Sequence, residues 1–301
     1  MTSGKTASLR NARQRSVHIT ATVFLLPALF LIVVYILYPI IDSFISSTMR
    51  WRGMGGTRSF AGLTNWLNLV KDVNFWQAFG NNMKIMFLSL LFQVPFAMAL
   101  ATFLDIHDKK AAVFKVIWFF PYLLSSVAIG VLFKFALDAN SGILTSVSKL
   151  LGGGAVDLLG NPKAALYAVI GVVCWQYIPF YMVLYLAAYG TIPTELYEAA
   201  SIDGATRGQY FWKVSLPLLR PAVISGMVLS IIGSLKYFDL VYVMTGGGPG
   251  VSTELMATYM YRNSFIRYDM GYGSTVASGM FVLITLITLI TISALNRKTE
   301  L

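Results

Sequence analysis

The sequence is short of charge, cysteine and histidine. Only 12% of its 301 residues are charged, about half the share of a soluble domain. A single cysteine, Cys174, excludes an intrachain disulfide and a thiolate metal cage. Two histidines, His18 and His107, leave no histidine metal site and no histidine–carboxylate cluster for membrane enzymology. No segment has the makings of a soluble nucleotide-binding domain, and no internal repeat is visible. Phosphate-cradling loops are missing too. The stretch Thr245–Gly250 is glycine-rich but lacks the Gly-Lys-Ser/Thr ending. Gly4-Lys5-Thr6 has that ending, but its leading glycine would fall before residue 1.

What is present is apolar. The chain is 56% hydrophobic and 14% aromatic, with a mean hydropathy of +0.68, which marks an integral membrane protein. The net charge of +10 does not call for nucleic acid, because the basic residues sit in loops beside apolar runs. Six runs are long enough to cross a ~30 Å hydrocarbon core as helices: about Val17–Ile41, Met83–Leu104, Ala112–Phe135, Ala164–Tyr189, Ala222–Met244 and Tyr272–Leu295. They lack period-two alternation, so membrane strands are not expected. The fold class is an all-α integral membrane protein with six transmembrane helices. The first run exceeds the apolar core of a signal peptide, and no small-residue cleavage site follows, so a retained first span is expected.

Lysine and arginine set the orientation. Segments 1–17, 105–111, 190–221 and 296–301 carry Lys5, Arg10, Arg13, Arg15, Lys109, Lys110, Arg207, Lys213, Arg220, Arg297 and Lys298. The longer opposite loops hold Arg50, Arg52, Arg58, Lys71, Lys149, Lys163, Arg262 and Arg267. The denser set belongs in the cytoplasm. This divides the chain into a basic tail (1–17), a six-helix domain (18–295) with a cytoplasmic loop at 190–221, and a second tail (296–301). Both termini are expected inside.

The 190–221 loop is the one long polar, small-residue segment between apolar spans. Pro193 suits a helix entry and Thr194 can cap it. Glu195 and Glu198 fall early, where carboxylates favour the positive helix end. Ala199 and Ala200 give a small face, and Gly204 after Asp203 is a natural stop. A second helix is expected from Thr206 through Lys213, with Leu216-Pro217 turning the chain back to the membrane. The loop thus reads as a helix–glycine–helix hairpin. An ordinary interfacial hairpin would share these features.

The spacing Glu198-Ala199-Ala200, then Gly204, then Val214 and Leu216-Pro217, resembles the EAA loop of permease subunits of bacterial ABC importers. Isoleucine is usual where Val214 stands. Tyr197–Ala205 and the stretch Phe238–Pro249 are similar to the carbohydrate-type branch that includes maltose and glycerol-phosphate permeases. The resemblance implies a type I importer permease whose cytoplasmic coupling hairpin docks on an ATPase. Glu198, Ala199, Ala200, Asp203, Gly204, Leu216 and Pro217 are the coupling residues it marks. It also implies a second homologous permease, two ATPase subunits, an external solute-binding protein and the bacterial inner membrane. ATP and Mg would belong to the ATPase, with no cofactor or metal in this chain. The basic tail makes it similar to the first permease of such a pair.

Residues for a solute pathway are fewer. Lys236 and Asp239 lie in the outer part of the expected fifth span, three apart and able to share a face. They mark a cavity, or Lys236 snorkels outward with Asp239 paired to it. Both readings stand. Trp175, Gln176, Tyr177, Tyr181, Tyr237 and Tyr242 offer the aromatic faces and hydrogen-bonding groups that a sugar requires, and equally suit helix packing. Gly226, Ser230 and Ser234, with Ser274 and Ser278, are small-residue faces for close helix contacts within this subunit or with a partner permease; lining the pathway is the alternative. The expected function is a permease subunit importing a sugar or oligosaccharide by alternating access. A permease for another solute, such as a phosphorylated polyol, amino acid or peptide, is the nearer alternative. An ion-driven secondary transporter is the more distant one.

Overall fold

The computed structural model describes residues 22–53, 56–106 and 111–296. The basic tail, His18, His107, Lys109, Lys110, Arg297 and Lys298 lie outside the described residues. Five helices are long and apolar enough to cross a membrane, and a bent pair makes a sixth. They are α1 (Thr22–Ser47), α3 (Val73–Ile106), the pair α4 (Ala111–Leu123) and α5 (Ser126–Ala136), α7 (Ala165–Tyr189), α9 (Arg207–Leu235) and α12 (Met270–Asn296). Shorter helices are α2 (Thr64–Lys71), α6 (Ile143–Leu150), α8 (Thr194–Ile202), α10 (Asp239–Thr245) and α11 (Met256–Tyr261). A two-stranded antiparallel ribbon, β1 (Met49–Arg50) with β2 (Ser59–Phe60), follows α1.

Helix α7 is the hub. It packs on α3, α4, α9 and α10, and thirteen of its residues are buried, from Ala165 to Tyr189. Two clusters divide its length. Ile85, Ile129, Val169, Val173, Leu240 and Leu255 meet near one end. Ala97, Leu104, Met182, Tyr185 and Leu219 meet near the other. A water-soluble helix would show one apolar stripe; these are apolar all round, as a membrane core requires. Helix α1 stands apart. Every residue from Thr22 to Pro39 is exposed, and only its far end packs on α12.

Two expected spans are broken. The third bends by 91° between Leu123 and Ser126. The fifth was expected to run through Met244 but stops at Leu235, and the chain restarts as α10 after Phe238, which sits at φ −141°, ψ −66°. The physical reason is a competing partner. Asn82, fully buried on α3, donates its amide to the carbonyls of Ser234 (3.0 Å) and Leu235 (3.2 Å). Its Oδ1 accepts from the backbone N–H of Met256 at 2.9 Å, the first residue of α11. One side chain thus satisfies the open end of α9 and the open start of α11. The half-helices released by the two breaks, α5 and α10, pack on each other. At that contact a Cβ on Gly130 would lie 3.0 Å from Val243.

Helix α9 begins earlier than expected. It runs from Arg207 straight through Leu216-Pro217, so this pair does not turn the chain back. Pro217 has no N–H to continue an ordinary turn. A π-turn over Phe211–Ser215, in which Leu216 N–H bonds to Phe211 O, takes up the mismatch. The faces of Gly226, Ser230 and Ser234 serve contacts within the chain. Gly226 lies against Tyr185, and Ser230 Oγ donates to Gln93 Oε1 at 3.1 Å.

Candidate functional site

The hairpin forms as a closed local unit. Thr194 is the first residue of α8 rather than its cap; Pro193 precedes the helix with extended backbone and no side-chain cap. Only Glu195 lies in the first turn, and Glu198 is one turn on. At the far end Ala205 N–H bonds to Ala200 O (2.9 Å) and Gly204 N–H to Ser201 O (3.1 Å). With Gly204 at φ +72°, this is a Schellman ending, which glycine adopts without Cβ strain. Two residues later Thr206 and Gln209 form a reciprocal capping box that starts α9. Tyr197 and Tyr210 meet edge-to-face at 5.2 Å and tie the two arms.

The hairpin's outward side is uncovered by the described residues. Glu198, Ala199, Asp203 and Gly204 are exposed. Ile202 is 86% exposed, and a Cβ at Gly204 or Gly208 would touch nothing within 4 Å. Leu216 and Pro217 do not join this surface. They line a separate shallow depression with Trp212, Arg220 and Val223. On the inward side, a cleft of about 580 Å³ separates the hairpin from the helix ends and includes Tyr189, Tyr197, Arg207 and Tyr210.

A second site lies where the two broken spans meet. A cavity of about 350 Å³ is lined by Gln93, Tyr122, Ser126, Tyr177, Phe180, Tyr181, Ser230, Ser234 and the stretch Lys236–Asp239. Lys236 and Asp239 are both exposed there and form no ion pair with each other. They lie on opposite sides of the break between α9 and α10, not on one helix face. Aromatic rings form one wall: Tyr122 contacts Tyr177 at 5.8 Å and Phe180 at 5.2 Å, and Tyr177 contacts Tyr237 at 5.7 Å.

Of the pathway candidates, Tyr177, Tyr181, Lys236, Tyr237 and Asp239 come together here. Trp175, Gln176 and Tyr242 do not. Trp175 packs edge-on against Phe133 at 5.2 Å. Gln176 lies behind the wall, 2% exposed, its Nε2 donating to Ser126 Oγ at 3.1 Å. Tyr242 is carried away on α10, stacks on Phe238 and faces a larger cavity of about 680 Å³ beside the glycine run. Sequence reasoning missed Gln93, Tyr122, Ser126 and Phe180 as walls, and offered Ser230 and Ser234 as lining only as the alternative to helix contacts. Gln93 had a signal, being a lone amide inside an apolar span.

The glycine run is fastened, as a sharp turn requires. Gly246, Gly247 and Gly250 have positive φ. Glu254, 0% exposed, pairs with Arg262 (Oε2 to Nη1, 2.8 Å) and accepts from Thr258 Oγ1 at 2.7 Å. Arg262 Nη2 donates to Gly246 O at 2.8 Å. Burial pushes the Glu254 carboxyl above its ordinary range, while Thr258, Arg262 and Arg267 pull it back only in part. Nearby, Asp72 accepts from the phenols of Tyr259 and Tyr272. Burial alone would raise its pKa. The two phenols and the amides of Phe75 and Asn74 outweigh that and hold it below the usual carboxylate range.

Comparison with known proteins agrees with this architecture. Residues 93–300 match the family model described as binding-protein-dependent transport system inner membrane component. A chain from Caldicellulosiruptor sp. (strain Rt8B.4), described as an ABC transporter permease protein, is 59% identical over 140 residues, 46% of this chain and all of that one. The trehalose/maltose transport system permease protein MalF of Thermococcus litoralis is 30% identical over 266 residues, 88% of this chain and 90% of that one. A permease chain in the crystal structure of a bacterial alginate ABC transporter, in complex with its alginate pentasaccharide-bound periplasmic protein, superposes with a TM-score of 0.84 at 22% identity. The match covers 96% of this chain and 98% of that one, so the fold is shared. This chain belongs to the family of binding-protein-dependent transport system inner membrane components.

Proposed function

We propose that this chain is the permease subunit of an ATP-driven, binding-protein-dependent importer for a sugar or oligosaccharide, and that it works by alternating access. The observation that carries the reading is the hairpin. Its small-residue face, Schellman turn and exposed Ile202 form a rigid projection with no partner among the described residues. A rigid projection transmits movement where a flexible loop would absorb it. The partner is an ATPase pair, which binds ATP and Mg and hydrolyses it; this chain performs no chemistry. Glu198 supplies polar contact, Ala199, Ala200 and Gly204 allow close approach, and Asp203 caps the turn. The long exposed face of α1 suits lipid and a second, homologous permease. Both termini lie in the cytoplasm on this orientation, and the glycine run faces outward, where the solute-binding protein docks.

The solute class is supported by the cavity between the broken spans. A pyranose offers apolar C–H faces and hydroxyl edges. Tyr122, Tyr177 and Phe180 match the first, and Gln93, Ser126, Ser230 and Asp239 the second. Relatives named for trehalose and maltose, for multiple sugars and for lactose point the same way. A phosphorylated or otherwise anionic solute is the second reading, favoured by Lys236, which has no acidic partner among the described residues. The test is ATPase stimulation of the reconstituted transporter, with its binding protein, by a panel of neutral sugars, sugar phosphates and amino acids. Stimulation by neutral sugars, lost in Tyr177→Ala and Asp239→Asn, is the expected result. Stimulation by phosphorylated solutes alone, lost in Lys236→Met, would transfer the assignment to the second reading.

A further inference from the structure

Helix α6 (Ile143–Leu150) is built inside out for a helix in water. At 3.6 residues per turn, Ile143, Leu144, Val147, Leu150 and the following Leu151 share an arc of roughly 120°. Their exposures are 65%, 40%, 47%, 86% and 83%. Off the stripe, Thr145 and Ser148 turn inward, while Ser146 and Lys149 are exposed. Thr145, fully buried, donates to Ala139 O (3.0 Å) and Val156 O (3.3 Å) and accepts from Val156 N–H at 3.0 Å. Ser148 Oγ donates to Gly154 O at 2.8 Å. The loop after α6 thus folds over the polar side, satisfies it and leaves the aliphatic stripe outside. A soluble loop helix gains by the reverse arrangement.

We propose that α6 is a membrane-surface helix, and that the lipid leaflet at the bundle end opposite the hairpin covers its stripe. Position supports this occupant. The helix joins the third and fourth spans, and its link to α5 is a pair of tight turns: Leu137 N–H to Phe133 O and Gly142 N–H to Asp138 O. The stripe thus follows closely in the chain on Val131, Leu132 and Phe135, exposed apolar side chains of the spanning helix α5. An interfacial helix buries its apolar face about 5–10 Å into the headgroup–acyl boundary, which matches a helix starting where a span ends. Composition supports it too. Protein interfaces are enriched in aromatic residues, methionine and arginine, whereas this arc holds aliphatic side chains alone. The sole charge on the helix, Lys149, lies off the stripe and reaches Asn140 O at 3.4 Å.

The test uses Val147→Cys and Leu150→Cys, each carrying an environment-sensitive fluorophore, in the assembled transporter in phosphatidylcholine vesicles. Cys174 is buried, so the unsubstituted chain is the labelling blank. Both positions are exposed, so neither substitution disturbs packing. Brominated acyl chains are expected to quench both labels by about half, and aqueous iodide by about a tenth or less, as for a helix at the headgroup–acyl boundary. Strong iodide quenching with no bromine effect would overturn the proposal. So would protection from both quenchers, which would mean that a second permease or the binding protein covers the stripe.

Discussion

Replacing Arg262 with methionine removes the only cation within 4.0 Å of Glu254 among the described residues. Glu254 is fully buried, and its remaining side-chain hydrogen bond comes from Thr258. Gly247, at φ +90°, presses against the pair so closely that a Cβ there would lie 2.8 Å from Glu254 Oε2, which leaves little room for water. Truncating one partner of a buried pair costs about 3–5 kcal/mol. Arg262 is itself 26% exposed and the orphaned carboxyl can take up a proton, so the lower figure, about 3 kcal/mol, applies. That is roughly a hundredfold easier local opening of the turn. The pH dependence follows from the same carboxyl. Its folded pKa is raised, so the folded state holds more protons from about pH 4.5 upward. Stability therefore falls as pH rises through that window, and the substitution extends the window upward. Hydrogen exchange of amides 246–258 reads this directly. Glu254→Gln together with Arg262→Met neutralises both partners and should recover part of the loss, giving a clear coupling term. A change of less than about threefold, or single effects that simply add, would refute the reasoning.

Two further substitutions probe the bundle. Gly226→Ala would place a Cβ 2.3 Å from the hydroxyl of Tyr185, which is fully buried and has no space to swing. A loss of about 2 kcal/mol is expected by thermal denaturation, whereas Gly208→Ala, with nothing within 4 Å, should be near neutral. Tyr259→Phe and Tyr272→Phe each remove a donor from Asp72. Because Asp72 has a lowered folded pKa, its contribution is present above the ordinary value and lost as pH falls through the folded one. Each variant should therefore lose about 1 kcal/mol at neutral pH and begin acid unfolding at a higher pH, measured by titrating stability downward from pH 6 or so.

The six spans were legible in the sequence because long apolar runs are a strong signal. Their breaks were not. Lys236 and Asp239 interrupt the apolar run from Ala222 to Met244 without saying where the helix stops; the stop shows only in Asn82, about 150 residues away, which takes the carbonyls of Ser234 and Leu235. For the same reason Lys236 and Asp239 were placed on one helix face when they flank a break. The hairpin's first arm and Gly204 were legible through local chemistry, namely a proline entry and a glycine stop. The start of its second arm at Thr206 was legible too, but not its end, since Leu216-Pro217 looks like a breaker until the π-turn at Phe211–Ser215 is seen to carry the helix past it. In the cavity, Tyr181, Tyr237, Lys236 and Asp239 were recoverable from residue type and depth. Tyr122 and Ser126 became walls only because the third span bends beside them.

The most direct test of the account is whether the hairpin docks on an ATPase. Gly204 is exposed, and a Cβ there meets nothing within 4 Å among the described residues. Gly204→Asp therefore leaves the bundle intact, apart from about 1 kcal/mol of local strain at its positive φ, yet adds bulk and charge to the proposed contact. Co-purification of wild type and Gly204→Asp with candidate ATPase and permease partners is the measurement. The account predicts that wild type holds the ATPase and that the variant, still inserted in the membrane and still bound to the second permease, loses it. An ATPase retained equally by both, or one that ignores a folded wild-type subunit, would contradict it.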